Sequence, residues 1–201
     1  MSKKVLFKTP ILFLIFNRPD TTKRVFAKIK KVRPKFLYIA ADGPRNKDEM
    51  ILTEKVRKLV IKSIDWDCQV KTLFRENNLG CGKAVSSAID WFFKNEEMGI
   101  ILEDDCLPDL SFFYFCEEML KKYKSNPKIM HISGDNYLPD FSLTIDESYF
   151  FSKYIHIWGG LHGEEHGISM IFHYIKFLLN SIKLNLILFL KSYFLLIYFI
   201  I

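Results

Sequence analysis

Gly99-Ile100-Ile101-Leu102-Glu103-Asp104-Asp105-Cys106-Leu107-Pro108-Asp109 is the stretch that decides the fold class. Four residues without a charge run straight into three carboxylates, and a helical stripe follows: Phe112, Phe115, Cys116, Met119, Leu120 and Tyr123 recur at i, i+3, i+4 and i+7 until Pro127 ends the run. An apolar run that short, closed by polar residues, reads as a strand buried on both faces. The same unit recurs outward in both directions. Ile11–Phe16, Phe36–Ala41, Gln69–Phe74 and Ile129–Ser133 are further short apolar runs closed by turn residues. Between them lie helical faces: Val25, Phe26, Ile29 and Val32, opened by Pro19 with Asp20 or Thr21 as cap and stopped by Pro34; then Leu52, Val56, Leu59 and Val60; then Ala84, Val85, Ala88, Ile89 and Phe92. Strand and helix alternate, so the fold is read as α/β and Rossmann-like, a mostly parallel sheet with helices on both faces.

The chain has 201 residues, is 49% hydrophobic and 26% charged, and contains nine Gly and seven Pro without a period. One domain with a real core is expected, and disorder or a collagen-like repeat is excluded. Its net charge of +6 hides a gradient. Residues 1–60 hold 16 Lys/Arg against 5 Asp/Glu, residues 61–167 hold 10 against 18, and residues 168–201 hold 3 against none. A basic half facing an acidic half suits an anionic ligand plus a cation better than a nucleic-acid surface. Cys68, Cys81, Cys106 and Cys116 lack zinc spacing and read as reduced thiols. The apolar run after Lys3-Lys4 leads into Asn17-Arg18-Pro19 with no cleavage site, so no secretory signal is expected and the chain is placed in the cytoplasm.

In open parallel sheets ligands bind at the carboxyl ends of the strands. Here those ends read Asn17-Arg18-Pro19, Asp42-Gly43-Pro44, Arg75-Glu76-Asn77-Asn78-Leu79-Gly80 and Glu103-Asp104-Asp105. Three adjacent carboxylates repel one another unless a cation or donors sit among them, and hard oxygens suit Mg²⁺ or Mn²⁺; the bland alternative is a solvated turn before the next helix. Asp42 either holds its own Asp-Gly turn or accepts from a base N–H or ribose hydroxyl. Arg18 and Lys83 are candidate diphosphate partners or simply surface cations. Gly80-Cys81-Gly82-Lys83 opens a helix but lacks P-loop spacing, and no Gly-x-Gly-x-x-Gly occurs.

The stretches Pro10 to Pro19, Asp42-Gly43-Pro44-Arg45, Asn77-x-x-Gly80-x-Gly82-Lys83, Glu103-Asp104-Asp105-Cys106-x-Pro108-Asp109-x-x-Phe112-Phe113 and Ile132-Ser133-Gly134-Asp135-Asn136 resemble GT-A-fold glycosyltransferases. The likeness is to the bacterial group similar to N-acetylglucosaminyltransferase I, and it spans residues 10 to about 158. It implies a nucleotide-diphosphate-sugar donor, a glycan or polysaccharide acceptor and a divalent cation, Mn²⁺ or Mg²⁺. Asp105, in a DXD-like motif, would be the metal ligand, Asp104 the ribose contact and Glu103 a carboxylate orienting the donor. Asp42 would recognise the base, so that Asp42→Asn is expected to change base preference. Phe16, Asn17, Arg18, Asn77 and Lys83 complete the expected nucleotide-sugar contacts. No residue is assigned as catalytic base, since the family's base and acceptor wall lie beyond the matching segment. A sugar-phosphate nucleotidyltransferase would want a Gly-rich signature with Arg after the first strand, which is absent here. A non-catalytic, truncated or membrane-tethered relic of a transferase is the remaining alternative.

Residues 5–158 are thus read as the donor half and residues 159–201 as an aberrant apolar tail. Of residues 168–201, 25 of 34 are apolar, and a helical tail with a membrane segment at 184–201 is expected, giving peripheral or tail-anchored attachment. The resemblance also implies a Trp-Gly-Trp-Ala-Thr-Trp-Arg-Arg-Ala-Trp pattern where this chain has Trp158-Gly159-Gly160-Leu161-His162-Gly163-Glu164-Glu165-His166-Gly167. With suitable synonymous codons, reading one base out of frame restores that pattern. The tail is therefore expected to be a frame-shifted translation that lacks the acceptor wall.

Overall fold

A computed structural model describes residues 6–126, 128–134, 149–152, 169–173 and 195–199. Strand β1 (Ile11–Ile15) is buried along its whole length, and its alternation assigns the helices to their faces. Side chains on a strand point alternately to opposite sides. Ile11, Phe13 and Ile15 enter one hydrophobic core, whereas Leu12 and Leu14 enter another. The parallel neighbours β2 (Phe36–Ala41) and β4 (Met98–Glu103) sit in register, with Ile11 opposite both Leu37 and Ile100. The parity therefore carries across the sheet. Leu37, Ile39, Ile100 and Leu102 join the first core, and Tyr38, Ala40 and Ile101 the second.

Three helices cover the first face: α1 (Pro19–Val32), α2 (Lys47–Ser63) and α4 (Leu110–Tyr123). They contribute Val25, Phe26, Ile29, Val56, Val60, Phe112 and Met119 to that core. The second face is covered by α3 (Cys81–Phe93) through Ala88, Phe92 and Phe93. Tyr38 and Phe92 meet edge to face at 4.9 Å. Each large side chain so buried stabilises the fold by roughly 1.5–3 kcal/mol.

With β3 (Gln69–Phe74), β5 (Ile129–Ser133), β6 (Tyr149–Ser152), β7 (Ser169–His173) and β8 (Leu195–Phe199), the sheet runs β3-β2-β1-β4-β7-β5-β8-β6. The first four strands are parallel; β7 is antiparallel to both β4 and β5, and β6 to β8. Strands and helices fall where the apolar runs place them, with three differences. The start of α1 is capped neither by Asp20 nor by Thr21. Pro19 occupies the first helical position, where its missing N–H costs nothing, and Arg18 is the N-cap with a carbonyl that accepts the Thr22 hydroxyl at 2.6 Å. Strand β3 is largely exposed, because it pairs only with β2 at the sheet edge among the described residues. The third difference lies in the tail. Its described parts, Ser169–His173 and Leu195–Phe199, are strands rather than helix. Pairing with β4, β5 and β6 satisfies the backbone polar groups of these two segments. Among the described residues no helix is long and apolar enough to cross a membrane. The rest of the tail, including residues 174–194, and the Gly159–Gly167 stretch lie outside the described residues.

One core group makes stability depend on pH. His131 in β5 is 2% exposed, and burial pushes its imidazole down to about 4 from an ordinary 6.5. The unfolded chain therefore takes up a proton that the folded chain refuses. Stability is full above 6.5 and falls as the pH drops toward 4, by about 3 kcal/mol at most. Urea titrations at pH 7 and pH 4.5 should show that loss for the native protein and a smaller one for His131→Asn.

Candidate functional site

The carboxyl ends of β1, β2 and β4, together with the loop from β3 into α3, surround a cavity of about 330 Å³. Glu103 is the last residue of β4, and the chain turns away from the sheet through Asp104 and Asp105. Asp104 is 2% exposed. Its Oδ2 accepts the backbone N–H of Phe16 at 3.1 Å and the Thr22 hydroxyl at 3.3 Å, while Oδ1 pairs with Arg18 Nη2 at 2.8 Å. Arg18 Nη1 donates to Asp105 Oδ2 at 2.7 Å. One guanidinium thus bridges two successive carboxylates.

The electrostatics follow from burial. Desolvation raises the Asp104 carboxyl above its ordinary value despite the opposing Arg18 charge and the Phe16 N–H. Burial, then the charges of Asp105 and Asp104, raises Glu103 against the pull of Arg18. For Arg18 itself burial works against the charge, but Asp104 and Asp105 outweigh it and hold the guanidinium above its ordinary value. The side chains of Arg18 and Asp105 are 49% and 42% exposed, so this end of the site opens to solvent. No group of three His, Cys, Asp or Glu side chains forms a metal cage among the described residues.

At the end of β2, the Asp42 carboxylate accepts backbone N–H groups on both oxygens. Gly43 N and Leu79 N reach Oδ1 at 2.9 and 3.0 Å, and Leu79 N and Gly80 N reach Oδ2, both at 3.1 Å. The facing backbone is tied down as well. Asn78 Nδ2 donates to the Gly43 carbonyl at 2.7 Å, and Arg57 Nη2 donates to the carbonyls of Asp42 and Arg75 at 2.8 and 2.7 Å. A Cβ at Gly43 would lie 2.3 Å from the Asn77 carbonyl carbon, so only glycine allows this approach.

The cavity is lined by small apolar side chains, among them Ala40, Ala84, Val85 and Ala88, and by three cationic ones, Arg18, Arg45 and Arg75. Arg45 lies over the Phe16 ring at 5.6 Å and is ion-paired with Glu49, which in turn accepts Asn17 Nδ2 at 3.0 Å. Arg75 donates to the Ser87 hydroxyl at 2.7 Å. Of the residues expected from sequence, Phe16, Asn17, Arg18, Asp42, Glu103 and Asp104 line the cavity. Asp105 joins them through Arg18 at the solvent end. Asn77 is outside the lining, its backbone packed against Gly43, and Lys83 sits on the first turn of α3, also outside the lining. Arg45, Arg75 and Asn78 line the cavity without having been singled out, although Arg75 and Asn78 stand at a strand end already in view and Arg45 directly follows Asp42-Gly43-Pro44.

No protein-family model matches the chain, and no curated protein matches it. Among solved structures the chain is similar to CMP:2-keto-3-deoxy-manno-octonic acid synthetase complexed with CTP, at 10% identity and a TM-score of 0.49, over 96% of this chain and 90% of that one. A likeness of this size carries no argument about activity.

Proposed function

We propose that this chain carries the donor-binding half of a metal-dependent glycosyltransferase, taking a nucleotide-diphosphate sugar whose sugar passes to a glycan or polysaccharide acceptor. The observation that carries the reading is Arg18 set between Asp104 and Asp105 in a strand-end cavity lined partly by small apolar side chains. Those small side chains leave room for a base and ribose, and the N–H groups of Arg18 beyond those on Asp104 and Asp105 are donors for phosphate oxygens. Asp105, half-exposed and hard, would hold Mn²⁺ or Mg²⁺, ions that accept few protein ligands and complete their shell with water and phosphate. Bound there, the ion would neutralise charge developing on the departing nucleoside diphosphate. Glu103, adjacent on the β4 end, would orient the sugar, and Phe16 and Asn17 would flank the nucleoside. Asp104, whose oxygens are taken by Phe16, Thr22 and Arg18, holds Arg18 in place besides meeting the ribose. No residue of the described chain is assigned as base.

A thermal-shift screen of nucleotide sugars with and without Mn²⁺ tests the reading. A ligand at 100 times its Kd adds about 2.7 kcal/mol. For a domain this size that is a rise of roughly 5–10 °C in Tm, expected only when nucleotide and metal are both present. Equal shifts without metal, or none from any nucleotide, would overturn it.

A further inference from the structure

We infer that Asp42 is a positioning residue, which locks the β3–α3 loop into the shape that receives the nucleotide, and does not read the base. The inference rests on the nucleotide-binding reading above. A carboxylate has about four lone-pair sites. Here four N–H···O contacts from Gly43, Leu79 and Gly80 fill them, at 2.9 to 3.1 Å. Leu79 N–H spans both oxygens, with Gly43 N–H and Gly80 N–H on the outer sides, so a base N–H would have to displace one of these charge-assisted contacts.

The surroundings fit a clamp. Gly80 is the N-cap of α3 and has φ +78°, a conformation open to glycine and strained for other residues. Asp42 fixes its N–H from the end of the neighbouring strand, and Asn78 accepts the same Gly80 N–H at 3.1 Å. Arg57, fixing the carbonyls of Asp42 and Arg75, joins β2 and β3 at the same level. Asn78, Gly80 and Cys81 belong to the cavity wall, so an unclamped loop would spoil the wall for every nucleotide alike. Discrimination between bases is then left to groups other than Asp42.

The test combines competition binding of UDP, CDP and GDP in the presence of Mn²⁺ with backbone amide exchange over residues 75–83 in the ligand-free protein. Asp42→Asn keeps the shape and one acceptor oxygen, so folding is preserved; Asp42→Ala removes both acceptors. Amide exchange at Leu79 and Gly80 should quicken in Asp42→Asn and further in Asp42→Ala. Affinity for all three nucleotides should fall together, about tenfold for Asp42→Asn, the equivalent of one such bond, with their ratios unchanged. An altered base ratio with unchanged exchange at Leu79 and Gly80 would overturn this inference while leaving the nucleotide site standing, as would variants identical to the native protein in both readouts. A native protein that binds none of the three nucleotides would overturn the parent reading and this one with it.

Discussion

Asp105→Ala should abolish Mn²⁺-dependent nucleotide affinity and leave the fold intact. The carboxylate is 42% exposed, and among the described residues its hydrogen-bonding neighbours are Arg18 and the Cys106 thiol, so its removal opens no cavity in the core. Exposed ion pairs contribute about 0–1 kcal/mol, and Arg18 keeps its bond to Asp104. Stability should therefore stay nearly constant. Nucleotide binding should not, because on the proposed reading the hard oxygen that would hold the ion is gone. Isothermal titration with and without Mn²⁺ reads the affinity, and thermal melting reads the stability. A variant that retains the native metal dependence would move the metal away from Asp105.

The second large effect is structural and reaches the site through the backbone. Gly43→Ala would set a Cβ 2.3 Å from the Asn77 carbonyl carbon and 2.6 Å from the carbonyl oxygens of Asn77 and Glu76. All three atoms are backbone, so no side chain can swing aside. The strand ends must part, which breaks the Asn78 bond to the Gly43 carbonyl and strains the bonds around Asp42. Overpacking of this kind costs about 1–3 kcal/mol. In a domain of this size Tm should fall by roughly 2–12 °C. Calorimetric melting checks the stability, and nucleotide affinity should fall with it; an unchanged Tm would show that the β2 and β3 ends yield more readily than their contacts indicate.

These two residues illustrate what sequence reading reached and what it did not. The strand-end position of Asp105 was legible because Ile100, Ile101 and Leu102 are apolar on both parities, which marks a strand buried on both faces. The role of Gly43 was not, since its need for a missing Cβ arises from Asn77, 34 positions away in the loop that follows β3. Asp42 shows the same limit. An Asp before Gly announces a turn, but the four N–H contacts to its carboxylate include two from Leu79 and one from Gly80, partners that only the β2–β3 pairing brings near. Arg45 and Arg75 were passed over for a related reason, because in a basic half-chain nothing local separates a cavity cation from a surface one. The edge exposure of β3 was hidden too, as its Val70, Leu73 and Phe74 read as buried until the strand order leaves it one neighbour. The tail runs differ in kind. Their composition suits helix, strand or span, and their pairing with β4, β5 and β6 decides between them at the described positions.

The measurement that bears most directly on the central claim is the anomalous scattering of Mn²⁺ in crystals grown with a nucleoside diphosphate. The account predicts one manganese peak within coordination distance of the Asp105 carboxylate, about 2.0–2.6 Å for hard cations on oxygen, with the diphosphate between that ion and Arg18 and the base over Ala40, Ala84 and Val85. A manganese peak elsewhere, or a nucleotide bound outside the β1–β2–β4 cavity, would contradict it.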